Sequence, residues 1–235
     1  MSTTEEHTLS CPACGTENTV SLPKALHVTG LPELRAAILA RDFQVIPCGA
    51  CARPFPVEKA TVYTDFHRGH YLAVEPWGRR EVAPLRALHQ RVFDECFLLG
   101  PEIAEELAAS MTHRIVFGVI GLREKLLAWD EGLDDRVLEA LKLDALHRLG
   151  LDRTAWQLRL LAILPPGGHL LFGRYPVDDV PAGSGDRVVS TPRPVDHHTA
   201  LRSAYTRRLG RWSDLRATYP WLGDDWFVDG SLGAR

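Results

Sequence analysis

The spacing of apolar residues in the first fifty positions predicts two extended segments with a helix between them. Polar and apolar residues alternate over 19–22, and together with residues 25–29 this pattern predicts an extended segment. Leu34 and Ile38 then recur at helical spacing after Pro32, and proline is well suited to the first turn of a helix. Residues 43–46 return to an extended pattern and lead into a pair of cysteines.

Two pairs of apolar runs further along the chain predict β-hairpins. Residues 61–66 and 70–74 flank a short turn that contains Gly69. Residues 156–164 and 169–175 flank a Pro-Pro-Gly-Gly sequence. Glycine and proline between such runs are typical of the turns that join antiparallel strands.

Helical spacing begins at residue 84. The apolar residues of the first helical segment form one predicted face, which consists of Leu85, Leu88, Val92, Cys96 and Leu99. Free cysteine is among the most buried residue types. The sequence therefore predicts that Cys96 is a buried and unreactive thiol.

A strand and two helices are expected in the middle of the chain. The apolar run 114–117 predicts a short strand, and 121–129 predicts a helix. The clearest helical pattern covers 135–149, with Asp134 as its N-cap and Gly150 placed to end it.

The C-terminal part combines a loop and a basic helix. Residues 181–195 are rich in proline and glycine and predict a loop or linker. A helix is expected over 199–218, with His197 and His198 at its start. Its arginines make it the one locally basic element, and they are Arg202, Arg207, Arg208, Arg211 and Arg216.

Composition limits the class of protein. The chain has 235 residues, of which 45% are hydrophobic and 24% charged, as in ordinary soluble globular proteins. Its net charge of −3 argues against a general binder of polyanions. The first six residues are polar and acidic, unlike a signal peptide, and no apolar run reaches the ~18 residues of a membrane span. We therefore expect a cytoplasmic protein without a membrane segment.

Two cysteine pairs carry the most specific chemistry in the sequence. Cys11 and Cys14 form the first pair, and Cys48 and Cys51 form the second, with 33 residues between them. Two residues between cysteines allow a tight turn to direct both thiolates toward one point, as a tetrahedral Zn²⁺ requires. The sequence therefore predicts a structural zinc site with four cysteine ligands and no catalytic or other cofactor-binding residue.

The sequence is also compatible with two other roles for these cysteines. A Cys-Pro-x-Cys redox pair would lie at the N-terminus of a helix. Here Cys14 is instead followed by Gly15 and other turn-forming residues. Structural disulfides belong to oxidising compartments, and the sequence carries no sign of secretion. Zinc binding is favoured over both.

The cysteine pattern resembles that of the CpXC family, bacterial proteins named for two Cys-Pro-x-Cys motifs and without an assigned function. Residues 114–117, 122–125 and 132–137 are similar to later segments of that family, so the resemblance reaches about residue 145. The second motif departs from the family pattern, since Gly49 stands where proline is implied and Pro47 precedes the pair. The resemblance implies no catalytic residues.

Two further polar groups have simpler structural interpretations. His67 and His70 lie in or beside the first hairpin turn and are expected to face solvent. An acidic group could suggest a cation site, but helix capping and the helix dipole account for it. It consists of Asp130, Glu131, Asp134 and Asp135.

Together the elements predict an α+β fold. A zinc-ribbon-like module with β-hairpins is expected over 1–80, and a mixed, mainly helical part over 81–180. A linker and C-terminal helix are expected over 181–235. These boundaries are soft, and a single continuous domain is compatible with the same pattern.

Three functions are compatible with this organisation. A closed zinc site without catalytic motifs favours a zinc-stabilised module that binds another protein. An enzyme with a site between the two larger parts is the first alternative. A nucleic-acid-binding zinc ribbon is the second, and the acidic balance of the chain makes it the least favoured.

Overall fold

The computed structural model describes residues 3–78, 82–166, 168–177, 193–223 and 226–229. The strands in this part of the chain are β1 (Thr3–Ser10), β2 (Glu17–His27), β3 (Val45–Pro47), β4 (Pro54–Pro56), β5 (Thr61–Asp65), β6 (His70–Glu75), β7 (Thr112–Phe117), β8 (Trp156–Leu164), β9 (His169–Pro176) and β10 (Asp196–Ala200). The α-helices are α1 (Pro32–Ala40), α2 (Val82–Phe93), α3 (Glu102–Ala109), α4 (Gly118–Asp130), α5 (Asp135–Arg148), α6 (Arg202–Leu209) and α7 (Trp212–Thr218).

A five-stranded mixed sheet has the strand order β1-β2-β5-β6-β7. β1–β2 and β5–β6 are antiparallel pairs, whereas β2–β5 and β6–β7 are parallel. A parallel pair needs a crossover connection, and α2 and α3 lie in the one between β6 and β7. The sheet thus joins strands from both sides of residue 80. Separate folding of 1–80, 81–180 and 181–235 stays a prediction.

Strand β6 is buried on both faces, so the five-stranded sheet has a core on each side. Leu72 and Val74 belong to a buried cluster with Leu122 of α4. Tyr71 and Ala73 belong to a second cluster, which includes aromatic residues of the α2 segment. Successive residues of a strand point to opposite faces of the sheet, which is why one short strand can supply both cores.

A second, antiparallel sheet has the order β10-β9-β8. Leu160 of β8 and Phe172 of β9 pack with Val137 and Leu141 of α5 in a further buried cluster. The predicted α+β class is confirmed, as are both β-hairpins and the helix after Asp134. The Asp134 side chain accepts the backbone N–H of Arg136, as an N-cap should. None of the helices in the described ranges combines the length and apolarity needed to cross a bilayer.

The prediction for the segment after residue 84 is wrong about its buried face. Cys96 is exposed, and so are Leu88 and Leu99. The residues that turn inward are His89, Phe93 and Phe97, which are four positions apart. A π-helical turn over Asp94–Leu98 keeps this four-residue spacing on one face. Burial of the two large phenylalanine rings therefore leaves Cys96 on the outside.

The predicted C-terminal helix is divided and starts later than expected. His197 and His198 lie in β10, opposite Gly173 and Phe172 of β9. The helical region that follows is interrupted between α6 and α7 at residues 210–211. Most of the predicted loop 181–195 lies outside the described residues.

His70 also differs from the prediction. Its imidazole packs 4.3 Å from the ring of Trp129, measured between ring centroids, and burial lowers its pKa to about 4. A neutral imidazole suits this apolar contact. His67 is exposed, as expected.

Candidate metal centre

Each cysteine pair lies at the tip of a two-stranded hairpin. The first pair follows β1 and precedes β2, and the second lies between β3 and β4. The hairpins give each pair a fixed base, since both flanking strands are hydrogen-bonded to one another. The first pair is anchored in this way by the register of Ser10 with Glu17, and the second by that of Pro47 with Pro54.

The two cysteine turns have the same backbone geometry. The N–H of Gly15 donates to the carbonyl of Cys11 at 2.9 Å, and the N–H of Ala52 donates to that of Cys48 at 2.9 Å. Both donors directly follow the second cysteine of their pair, and both have positive φ, at +74° for Gly15 and +58° for Ala52. Glycine adopts this conformation freely, whereas alanine does so at a cost.

The four sulfur atoms converge on one point. The Sγ atoms of Cys11 and Cys51 are 3.8 Å apart, and those of Cys14 and Cys48 are 3.6 Å apart. All four lie within 4.8 Å of one another. These separations are far longer than the ~2.05 Å of a disulfide. They match the ~3.8 Å edge of a tetrahedron with metal–sulfur bonds of ~2.3 Å. The predicted cysteines thus come together in an arrangement that could hold a metal ion.

Backbone N–H groups favour the thiolate form of part of the cluster. The N–H groups of Ala13 and Ala50 each lie 3.4 Å from a sulfur, that of Cys11 and that of Cys48 respectively. Hydrogen bonds from the backbone of Cys51 and Ala50 lower the pKa of Cys48 to about 6.

Crowding by the neighbouring sulfurs raises the pKa of another cysteine, Cys51. The backbone of Arg53 lowers the pKa of Cys51, but burial and the neighbouring sulfurs outweigh it and raise that pKa to about 11. Four thiolates this close repel one another without a cation. A bound cation would remove that repulsion, so the cluster fits a metal site better than four free thiols.

Asn18 connects the two turns and was missed by the sequence analysis. Its side-chain N–H₂ group donates to the carbonyl of Thr16 at 2.8 Å, and its side-chain oxygen accepts the N–H of Gly49 at 2.8 Å. The N–H₂ group also lies 3.8 Å from the sulfur of Cys48. Partners of this kind orient metal ligands. No spacing rule distinguishes an asparagine at this position from an ordinary strand residue.

A small apolar core supports the cluster from below. Cys11 and Cys48 are buried with Leu9, Leu22 and Phe55. At the edge of this region, the Lys59 ammonium forms a 2.6 Å ion pair with Glu5 of β1. The centre is therefore fixed to the five-stranded sheet as well as to its own two hairpins.

A second group of polar residues is buried between α4, α5 and β8, and its charges balance. The carboxylate of Asp135 pairs with Arg114 at 2.9 Å and with Lys125 at 2.9 Å. The ammonium of Lys142 pairs with Glu124 at 2.8 Å and with Glu139 at 2.6 Å. The guanidinium of Arg159 pairs with Asp229 at 2.7 Å. These eight side chains are at most 9% exposed, so the network stabilises the interior and is closed to a substrate.

Ion pairs and helix capping account for the acidic group near residue 130, so it needs no bound cation. Asp130 pairs with Arg35 at 2.5 Å, Glu131 with Arg202 at 3.3 Å, and Asp135 belongs to the buried network. Asp134 caps α5. Capping was predicted for this group, but the burial of Asp135 was not.

The fold and the centre together define an α+β protein with a cluster of four cysteines that could hold a metal ion. The family model of the CpXC protein matches residues 9–142, which include all four cysteines and most of α5. The chain belongs to the CpXC family. Among curated proteins none matches it, and no solved structure does.

Proposed function

We propose that the four cysteines hold one structural Zn²⁺. The separations of 3.6 and 3.8 Å between paired sulfurs carry this proposal, because they are those of a tetrahedral four-thiolate site. With four protein ligands the metal has no open position for a substrate, which favours a structural over a catalytic role. Tetrahedral sulfur sites also accept iron, so the metal has to be identified by measurement.

Elemental analysis of protein purified without added metal tests this proposal. We expect about one zinc per chain, lost on chelation or in a Cys48→Ser variant together with the fold of the N-terminal hairpins. Stoichiometric iron with visible absorption would contradict zinc but not the site. An intact, metal-free protein with four reactive thiols would contradict both.

We further propose that the zinc-stabilised fold is a cytoplasmic protein-interaction module. Support comes from the surface formed by residues 98–107, which we name the 98–107 surface. Leu99 is 79% exposed and Ile103 is 66% exposed, beside the exposed Leu98 and Leu107. Neighbouring exposed apolar residues of this kind mark interaction sites. The free cysteines among the described residues suit a reducing compartment.

The charges around the 98–107 surface indicate the chemistry of its partner. Exposed glutamates accompany the leucines and the isoleucine, and they are Glu95, Glu102, Glu105 and Glu106. A partner segment that combines apolar side chains with lysine or arginine would complement both features. A second copy of this chain would bring like charges together instead.

The C-terminal arginines give little support to nucleic-acid binding. Arg202, Arg208 and Arg211 form ion pairs with Glu131, Asp144 and Asp214 at 3.3, 2.5 and 3.0 Å respectively. Guanidinium groups paired in this way are less available to phosphates. We expect no retention on heparin or duplex DNA at physiological ionic strength, where phosphate contacts weaken steeply with salt. Tight, salt-resistant binding to one nucleic acid would overturn the protein-interaction proposal.

A photo-crosslinker attached to Cys96 tests the 98–107 surface directly. It should form a discrete adduct with one protein in a cell extract, and the purified partner should bind at least about tenfold more weakly to an Ile103→Glu variant. Leu209→Glu is the matched control, because Leu209 is also exposed but lies on α6. Equal binding by the two variants would contradict the proposal. So would crosslinking only to a second copy of this chain, to an extent that does not change with salt.

A further inference from the structure

A cavity of about 270 Å³ lies where several parts of the chain meet. The end of α1, the β3–β4 hairpin of the metal centre, the first turns of α4 and strand β9 all contribute to its lining. Its volume is at the small end of the range of ligand pockets. The lining residues that matter most are Arg41, Phe43, Val119, Arg123, Tyr175 and Arg193.

Among the residues that the structure describes, those lining the cavity bring positive charge together without a matching negative charge. Three arginines line it, and none of its described lining residues is acidic. Glu58 lies beside the first turn of α4, where it accepts the N–H of Val119 at 3.2 Å and that of Trp77 at 2.8 Å, but it is not part of the lining. Elsewhere in the described chain, buried arginines such as Arg114 and Arg159 are paired with carboxylates.

Arg123 is held in place by neutral groups. Its Nε donates to the carbonyl of Leu39 at 2.8 Å, and its Nη1 donates to that of Leu161 at 2.9 Å. Because both acceptors are neutral carbonyl oxygens, they satisfy these N–H groups without neutralising the positive charge of the guanidinium. Burial, together with the nearby charge of Arg41, lowers the pKa of Arg123. An anion in the cavity would relieve this repulsion.

Arg41 occupies a backbone position that favours glycine. It is the C-cap of α1 and has φ +69° and ψ +22°, in the left-handed region that is unfavourable for a residue with a side chain. Helices commonly end with glycine in this conformation. An arginine here is unfavourable for the backbone and adds a cation to the cavity.

We infer that this cavity binds a small organic anion, with a carboxylate or phosphate head group held by the arginines and an apolar body against Phe43 and Val119. Guanidinium groups match both head groups in geometry and charge. The phenol of Tyr175, whose pKa is raised to about 12 by burial, stays neutral and available as a hydrogen-bond donor. This inference is independent of the 98–107 surface and of any protein partner.

Calorimetric titration of the metal-loaded full-length protein tests the inference with three probes of one ring system. These are 1-naphthyl phosphate, 1-naphthoate and the neutral 1-naphthol. We expect at least one anion to bind at least about tenfold more tightly than 1-naphthol, with an affinity that falls as salt rises. The better of the two anions identifies the head group. Equal affinity for all three probes would overturn the inference.

Variants at the exposed arginines separate a charge effect from a loss of folding. Arg41→Gln and Arg193→Gln should each weaken binding of the preferred anion by about fivefold or more, whereas Arg148→Gln, an exposed arginine at the end of α5, should not. Arg41→Gly should weaken binding as much as Arg41→Gln does. Its Tm should be unchanged or higher, because glycine suits the left-handed backbone. Unchanged affinity in both Arg41 variants would overturn the inference.

Discussion

The backbone N–H of Gly49 donates a 2.8 Å hydrogen bond to the side-chain oxygen of Asn18. This bond joins the second cysteine turn to the strand that leaves the first. Proline has no N–H group, so a Cys-Pro-x-Cys sequence at 48–51 could not form it. The departure of this chain from the family pattern at Gly49 therefore has a structural use. In the first turn, Pro12 occupies the matching position.

Gly49→Pro should accordingly weaken the metal centre. We expect a loss of about 1 kcal/mol from the removed hydrogen bond, since the side-chain oxygen of Asn18 loses the N–H that it accepts. Gly49→Ala is the matched control, because a Cβ there would meet only the Asn18 oxygen, at an ordinary contact distance of 3.6 Å. Metal release by a competing chelator measures the difference. Equal release rates for the two variants would show that the N–H is dispensable.

Ala52→Gly should stabilise the metal-loaded protein. Ala52 has φ +58° at the position where the first turn has Gly15, and removing its Cβ relieves about 1 kcal/mol of backbone strain, partly offset by chain entropy. Thermal unfolding should shift upward by about 2 °C. Ala50→Gly lies in the same turn without a positive φ and should lower Tm instead. A decrease for both variants would contradict the strain at Ala52.

Cys96 should be the one rapidly labelled thiol of the metal-loaded protein. Its side chain is exposed, whereas metal coordination would protect the four clustered sulfurs. A thiol-reactive dye should therefore modify about one cysteine per chain at first, and about five after chelation and denaturation. Cys96→Ser should remove the fast phase. Slow labelling of Cys96 would instead indicate that its side chain is buried, as the sequence predicts.

Features encoded by neighbouring residues could be predicted from the sequence. The spacing within each cysteine pair fixes a tight turn, glycine and proline mark both hairpins, and Asp134 marks the start of α5. Each of these signals acts over a few residues and needs no knowledge of the rest of the fold. The convergence of the two cysteine pairs followed from coordination chemistry, since one metal needs both.

Features that depend on distant partners could not be predicted. Strand β1 has a polar sequence and forms because β2 supplies its hydrogen-bonding partner. The four acids and four bases of the buried network look like surface charges in the sequence, since their partners lie up to 70 positions apart. The π-helical turn after α2 changed the buried face because two phenylalanines compete with smaller residues for the core. Asn18 gained its role only when two hairpins came together.

Acid should destabilise the protein partly through Asp135. Burial alone raises the pKa of a carboxyl group, but the charges of Lys125 and Arg114 outweigh it and hold the pKa of Asp135 well below its usual range. In the unfolded chain Asp135 takes up a proton near pH 3.9, while in the folded chain it stays ionised to lower pH. Its contribution to stability is therefore complete above this range and is lost as the pH falls through and below it.

The Asp135→Asn variant measures this contribution. At pH 7 it should lose about 3 kcal/mol or more, because Arg114 and Lys125 remain buried without their carboxylate. Between pH 5 and pH 3 its free energy of unfolding should fall less steeply than that of the wild type, by up to about 1.4 kcal/mol per pH unit. Urea unfolding across this range gives both slopes, and acid release of the metal affects both proteins alike. Parallel slopes would show that Asp135 is not the acid-sensitive group.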